Sequence, residues 1–328
     1  MNHRQRMEAC LSGNPVDRTP VSLWRHFPVD DQNPDSLARS VLYFQQTYDF
    51  DFVKITPASS FCVKDYGVRD EWRGNPEGTR DYKFRPVNLP DDWKTLKVLD
   101  PFDGYLGSQL ECIRLIKQAL PESTPVIQTI FNPLSQAKNL AGQETLLVHI
   151  RQHPQEVMIG LQTILETTIR FIKACTRLGI NGIFFAIQHA QASLLSPNEF
   201  DRFVTPFDVE ILNQVSQLWL NVAHLHGKNL LFDQVRLNNI AVLNWHDQET
   251  APSLSEAKLK FKGAVCGGLR QWETLVYGTP QTVETEATTT IEMTGGSRFI
   301  LGTGCVLPII APHSNILAAR NIVERTRS

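Results

Sequence analysis

The sequence predicts an α/β fold of the parallel kind: a (β/α)8 barrel of the TIM type, with an inserted loop region after its second strand. Three observations carry this expectation. Short apolar runs alternate with amphipathic stretches from end to end, the runs number eight, and a chain of 328 residues somewhat exceeds the ordinary size of such a barrel. Strand–helix alternation does not by itself decide closure, and a doubly wound open sheet satisfies the same pattern.

Taken in order, the first strand is expected at 20–24, before a helix at 34–48 that opens on Pro34. The second strand, at 51–55, leads into the insertion, and a helix follows at 104–120. Strand three, at 126–131, is Val-Ile-Gln-Thr-Ile-Phe, and the long stretch at 154–178 opens on Pro154. Strand four at 182–187 precedes a helix at 206–219 that opens on Pro206. Strands five (221–226) and six (240–245) lead to a helix at 253–261 that starts at Ser253. Strand seven (263–266) precedes the helix at 280–293, which opens on Pro280, and strand eight (298–301) precedes the one at 314–325, which opens on Ser314. Proline and serine at these starts are the N-terminal chemistry helices favour.

The insertion, at 66–101, is rich in charge, glycine, proline and tryptophan, and a hairpin is expected around Gly74-Asn-Pro-Glu-Gly78. It lacks the apolar periodicity of a separate domain. Residues 1–328 are therefore read as one barrel domain, with this segment as a loop over the mouth, where long ordered loops commonly bind substrate.

Composition narrows the function. A hydrophobic content of 42% fills a sizeable core, and a formal charge of −2 with acidic and basic residues interspersed gives no footprint for nucleic acid or an anionic membrane. The polar N-terminus and the absence of a long apolar run predict a cytoplasmic protein, monomeric or homodimeric, that acts on a small molecule. Six scattered cysteines in so large a chain read as free thiols.

The most informative stretch is Asn221-Val-Ala-His-Leu-His-Gly227, a short apolar strand that ends by presenting two imidazoles two residues apart. Alternation puts His224 and His226 on one face. Far downstream, Gly302-Thr-Gly-Cys-Val-Leu-Pro308 offers a soft donor in Cys305. Imidazole and thiolate suit one zinc ion, and three protein ligands leave one position for water or substrate. Hydrogen-bonded polar lining is the alternative for the histidines, and a small packing residue for the cysteine. Active sites of this fold gather at the C-terminal ends of the strands, where Arg25, Asn132, Gln188, His189, Trp245, His246, Asp247 and Cys266 also fall. His189, His246 and Cys266 thereby stand as alternative ligands.

The order of motifs resembles the uroporphyrinogen decarboxylase superfamily, which also contains zinc-dependent methyltransferases acting on methylated corrinoid proteins and thiols. The pieces are Arg18-Thr-Pro-Val-Ser-Leu-Trp-Arg25, Asp51-Phe-Val-Lys-Ile-Thr-Pro57, Thr129-Ile-Phe-Asn-Pro-Leu134, Leu195-Ser-Pro-Asn-Glu-Phe200, Leu243-Asn-Trp-His-Asp247, Gly267-Gly-Leu269 and Gly304-Cys-Val-Leu-Pro308. They run in the family's order over nearly the whole chain. The resemblance implies a (β/α)8 barrel. The decarboxylases carry two arginines four apart in the first motif. Here Arg25 matches the first and Val29 stands at the second, while Gly302-Thr303-Gly304 replaces their C-terminal Gly-His-Gly. The methyltransferase branch carries His-x-Cys and a distant Gly-Cys as zinc ligands, onto which His224, His226 (in place of the Cys) and Cys305 fall.

That branch implies a zinc-activated thiol or similar nucleophile and a corrinoid methyl donor carried by a partner protein. Gln188 and Asp247 are then the orienting or proton-handling residues. Arg25, Asp51, Asn132, His189 and Trp245 are the substrate-binding set, with Arg25 as anion anchor. A metal-free tetrapyrrole decarboxylase, holding carboxylates and pyrrole nitrogens with Arg25 and Asp51, and a non-catalytic binding barrel are the competing classes.

Overall fold

The computed structural model describes residues 1–325. It opens on a helix that apolar periodicity does not announce, α1 (His3–Ser12). Its start is a capping box in which Asn2 accepts from the Gln5 N–H and the Gln5 side chain accepts from the Asn2 N–H. Next come α2 (Pro34–Tyr48), β1 (Val53–Ile55), β2 (Arg69–Glu71), β3 (Asp81–Phe84), α3 (Gly104–Ala119) and β4 (Val126–Phe131). Three helices follow in succession, α4 (Pro133–Ala141), α5 (Gln143–Gln152) and α6 (Pro154–Arg177), and then β5 (Gly182–Ile187). The rest of the chain runs α7 (Pro197–Phe203), α8 (Thr205–Gln214), β6 (Val222–Leu225), β7 (Val242–Trp245), α9 (Leu254–Lys260), β8 (Ala264–Leu269), α10 (Pro280–Thr294), β9 (Phe299–Thr303) and α11 (His313–Arg325).

Strands β1, β4, β5, β6, β7, β8 and β9 form one parallel seven-stranded sheet in that order. Every residue in them is buried, because helices cover one face while the strands' other side chains pack against each other. None of the helices among the described residues is long and apolar enough to cross a membrane.

The first expected strand is corrected. Residues 20–24 shrink to a single bridge between Val21 and Leu301. Pro20 has no N–H to extend the ladder. This short segment nonetheless bonds to both edges of the sheet: the Ser22 N–H donates to Leu301 O (3.0 Å), the Leu301 N–H to Pro20 O (2.8 Å), and the Asp51 N–H to Val21 O (2.9 Å). The helix expected at 206–219 is also corrected, to α7 and α8, which meet at Val204 and Thr205. Ser196, capped reciprocally by Glu199, starts the first of them.

Between β1 and α3 the chain makes an antiparallel hairpin, β2 with β3, whose connection includes Gly74 and Gly78 at positive φ. The hairpin's tip lies over the C-terminal end of the sheet. The Ile309 N–H donates to Pro76 O (2.7 Å), and a Cβ on Gly78 would lie 2.5 Å from that of His26. Trp93 roots the following turn in the core, donating to His149 Nδ1 (3.0 Å).

At the opposite end of the sheet, Asp51 is fully buried and accepts from Arg6 (2.6 Å), Arg18 (2.7 and 3.1 Å) and the Val21 N–H (2.7 Å). This corrects its assignment to the substrate-binding set. Its oxygens are taken up by α1 and by the segment that joins the sheet's edges.

Candidate metal centre

Parallel alignment places His224 of β6 beside Ala186 of β5 and Asn244 of β7, so their side chains share the sheet's inner side. Two residues on, past the strand ends, His226 and His246 keep the same parity. Cys305 follows β9 and needs a close approach to reach them. Gly304 permits it, since a Cβ there would lie 2.8 Å from both Trp245 O and the His246 Cα.

These four side chains each offer one donor atom, and the four donors all lie within 4.8 Å of one another. Cys305 Sγ is 3.6 Å from His224 Nε2 and 3.8 Å from His226 Nδ1, and His246 Nε2 is 3.4 Å from His226 Nδ1. A tetrahedral zinc ion with nitrogen bonds of about 2.0–2.1 Å and a sulfur bond of about 2.3 Å sets its ligand atoms roughly 3.3–3.6 Å apart. The donor set therefore fits zinc in both chemistry and spacing. His246, one of the alternatives left open by the sequence, joins the expected three; His189 and Cys266 do not.

The hydrogen bonds behind the donors fix which atoms face inward. Asn244 Nδ2 donates to Cys266 O and Thr303 O (both 2.9 Å), which turns Oδ1 toward His224 Nδ1 at 2.7 Å. His224 then carries its proton on Nδ1 and presents the Nε2 lone pair to the cluster. Glu249 stands 3.7 Å from His246 Nδ1 and orients that ring in the same sense. Burial pushes all three imidazoles down: His226 to about 4, His246 below its ordinary value, and His224 well below. They are neutral donors at pH 7. Burial also raises the Cys305 thiol to about 11, so a metal taken up here displaces a proton from it.

Three of the donors, His224, His226 and Cys305, line a cavity of about 380 Å³ together with Trp24, Lys54, Phe184 and Gln188. Gln188 lies on the cavity wall, and its Oε1 is buried without a hydrogen-bond partner among the described residues.

The other assignments are corrected, and one rule covers most of them: each side chain stands at the wrong parity. Arg25, between the cavity residues Trp24 and His26, turns outward over Phe27 (5.2 Å) and Phe44 (5.5 Å) and donates to Ile309 O. Trp245, next to Asn244, faces out and donates to Pro252 O (2.9 Å). Asp247 lines a separate groove of about 760 Å³ beside α9 and α10. It accepts from the Gly268 N–H (3.0 Å) and Gln248 (2.8 Å), and burial raises it to about 6. Asn132 caps α4 and donates to the buried Asp208 (3.0 and 3.2 Å). His189 is fully buried, with neither ring nitrogen hydrogen-bonded, and does not line the cavity.

Lys54 went unnoticed in the sequence. Its signal was a lysine two residues before Thr56 in an apolar strand, at the parity that faces inward. Its ammonium lies 4.4 Å from the Phe184 ring centre and, among the described residues, bonds only to Thr56 Oγ1 (3.0 Å). Burial without a carboxylate partner lowers it from 10.5 to about 7.

Between those two values the unfolded chain binds more protons than the folded one, so this group makes stability rise with pH from about 7 toward 10, its penalty being full below 7. In metal-free protein, Lys54→Met is expected to be the more stable form at pH 6 and to lose part of the pH dependence between 7 and 9. Parallel denaturation curves for the two proteins across that window would refute the lowered value.

The family model described as uroporphyrinogen decarboxylase (URO-D) matches residues 2–326. Among curated proteins, the methylcobamide:CoM methyltransferase MtbA of Methanosarcina mazei is 22% identical over 247 residues, covering 72% of this chain and 70% of that one. The uroporphyrinogen decarboxylase of Geotalea daltonii is 22% identical over 341 aligned positions, covering 94% and 95%. Among solved structures, a methyltransferase from Methanosarcina mazei superposes with a TM-score of 0.87 at 18% identity over the full length of both chains. A B12-independent methionine synthase from Shewanella gives 0.56 at 12%, covering 94% of this chain and 92% of that one.

Proposed function

Since the chain belongs to the uroporphyrinogen decarboxylase family, we propose that it is a methyltransferase of that family. In this reading one zinc ion would be held on His224, His226 and Cys305, with His246 as an exchangeable fourth donor whose place a thiol or similar nucleophile takes as methyl acceptor. The observation that carries the reading is the convergence of four donors, three of which line a cavity large enough for a substrate. The sheet, completed by the segment at 20–22, is read as the (β/α)8 barrel that carries this site.

Zinc bound there would supply the Lewis acidity that keeps a substrate thiol anionic near neutral pH. The chain's own residues hold and orient the reactants. Asn244 and Glu249 fix the rings of His224 and His246, Gln188 offers an unpartnered amide oxygen to the substrate, and Trp24 and Phe184 exclude water from the floor. The Methanosarcina relative is named for a methylcobamide donor. By that likeness, the proposed donor is a corrinoid-bound methyl group on a partner protein.

The decarboxylase alternative draws support from the Geotalea relative and from the cations in the cavity. Against it, Arg25 faces away, and Val29, where the family's second arginine would stand, is exposed. Metal analysis of protein purified without a histidine tag is expected to give one zinc per chain, and a thiol is expected to bind more tightly to zinc-loaded than to metal-free protein. Efficient uroporphyrinogen turnover by metal-depleted protein would instead establish the decarboxylase.

A further inference from the structure

A lysine inside a protein ordinarily comes with a carboxylate, and one on the surface keeps its ammonium in water. Lys54 has neither. It stands in the middle of β1, it is buried, and among the described residues no carboxylate lies within ion-pair distance of it. Its side chain faces the cavity, whose wall near it is aromatic: Trp24, Phe131 and Phe184.

The local hydrogen bonds leave the amine largely unengaged. The Thr56 hydroxyl donates to Lys54 O (3.4 Å), so its oxygen accepts from Nζ (3.0 Å) and occupies one N–H. The Phe184 ring centre lies 4.4 Å from the same nitrogen and that of Trp24 5.9 Å away. Such rings favour an ammonium, but one hydrogen bond and no counter-charge leave the charged form undersolvated, and the neutral amine with a free lone pair gains by comparison. Burial accordingly lowers the group to about 7, so that about half of the molecules carry the neutral amine at neutral pH. The titratable groups that face it are His26, His224 and Cys305. Burial keeps both imidazoles neutral and raises the thiol.

We propose that Lys54 is a nucleophile, and that the cavity has a second activity in which this amine captures an aldehyde with an apolar or aromatic substituent as an imine. The Nζ lone pair attacks the carbonyl carbon and a C–N bond forms. The carbonyl oxygen then leaves as water with the two protons of the amine. The step consumes no oxidant, reductant or second reactant. An aldehyde fits better than a ketone because Trp24 and Phe184 crowd the nitrogen, and its substituent lies against the same rings. Neither zinc nor methyl transfer enters the argument.

Reductive alkylation tests the proposal. Metal-free protein at pH 7 is treated with benzaldehyde and cyanoborohydride, which reduces an imine to a stable secondary amine, and peptide mass mapping follows each lysine with time. An ordinary lysine is neutral in only roughly one part in 2,500 at that pH. Allowing for slower entry into the cavity, Lys54 is expected to be alkylated at least about tenfold faster than the exposed Lys97 and Lys262. The fast reaction should vanish in Lys54→Arg, which keeps the charge, and in Lys54→Met, which keeps the apolar stem; circular dichroism verifies that both fold. Alkylation of Lys54 no faster than that of Lys97 and Lys262 in wild type would overturn the proposal. So would preferential alkylation of Lys138, which lines the same cavity and is lowered to about 8 by burial and Arg85. Because the reaction is run without metal, its failure leaves the proposed function standing, and a protein that binds no zinc can still pass it.

Discussion

Cys305→Ala is expected to strip the protein of the proposed zinc ion. A structural zinc site is worth roughly 10–16 kcal/mol at neutral pH, so one donor of four carries about 3–4 kcal/mol, or two to three orders of magnitude in affinity. The thiolate is the only anionic donor in the set and carries at least that share. His224→Ala should act similarly, because its ring sits at the base of the cluster with Nε2 already turned inward by Asn244. Asn244→Ala leaves all four donors in place but frees the His224 ring, and about ten- to a hundredfold is expected from that change. Competition with a chromophoric chelator measures all three. Wild-type affinity in Cys305→Ala would show that the cluster is polar lining, and equal losses for Cys305→Ala and Asn244→Ala would show that packing rather than ligation is being measured.

The second large effect is on stability. Asp51→Ala is expected to cost about 3–5 kcal/mol, the range for breaking a buried ion pair by removing one partner. Asp51 is fully buried, and Arg6 and Arg18 nearly so; the substitution leaves two guanidinium groups facing a vacated space. Arg6 keeps Asp17, and Arg18 keeps Glu324, which prevents a larger loss. Since a domain's total stability is about 5–15 kcal/mol, the variant should unfold at a much lower denaturant concentration. A change under about 1 kcal/mol in equilibrium urea unfolding would mean that the surrounding network compensates for it.

Most of the parallel sheet was legible in the sequence because strands covered on both faces read as unbroken apolar runs, and six of the eight expected strands overlap their counterparts in β4 to β9. The convergence of His224, His226 and Cys305 was legible for a related reason: His-x-His on a strand fixes parity by itself, and Gly304 signals a close approach for Cys305. Parity was not carried through to single residues. Arg25, Trp245 and Asp247 each follow or precede an inward-facing residue by one position and therefore point the other way. His246 needed only the same rule applied from Asn244. The α1 helix was missed because its signal is a cap rather than an apolar stripe.

The bridge between Val21 and Leu301 has a consequence for how the chain folds. It joins residues from opposite ends of the sequence, and Cys10 reaches across the same distance to Phe299 O (3.4 Å). Every other pairing in the main sheet joins strands that are neighbours in chain order within that sheet. The loop entropy of this first-to-last pairing is the largest of any in the main sheet, and the interior strands supply nothing toward it until they are in place. During synthesis, α1 and the segment behind it therefore wait, with Arg6 and Arg18 able to find Asp51 early while the bonds to Leu301 form last.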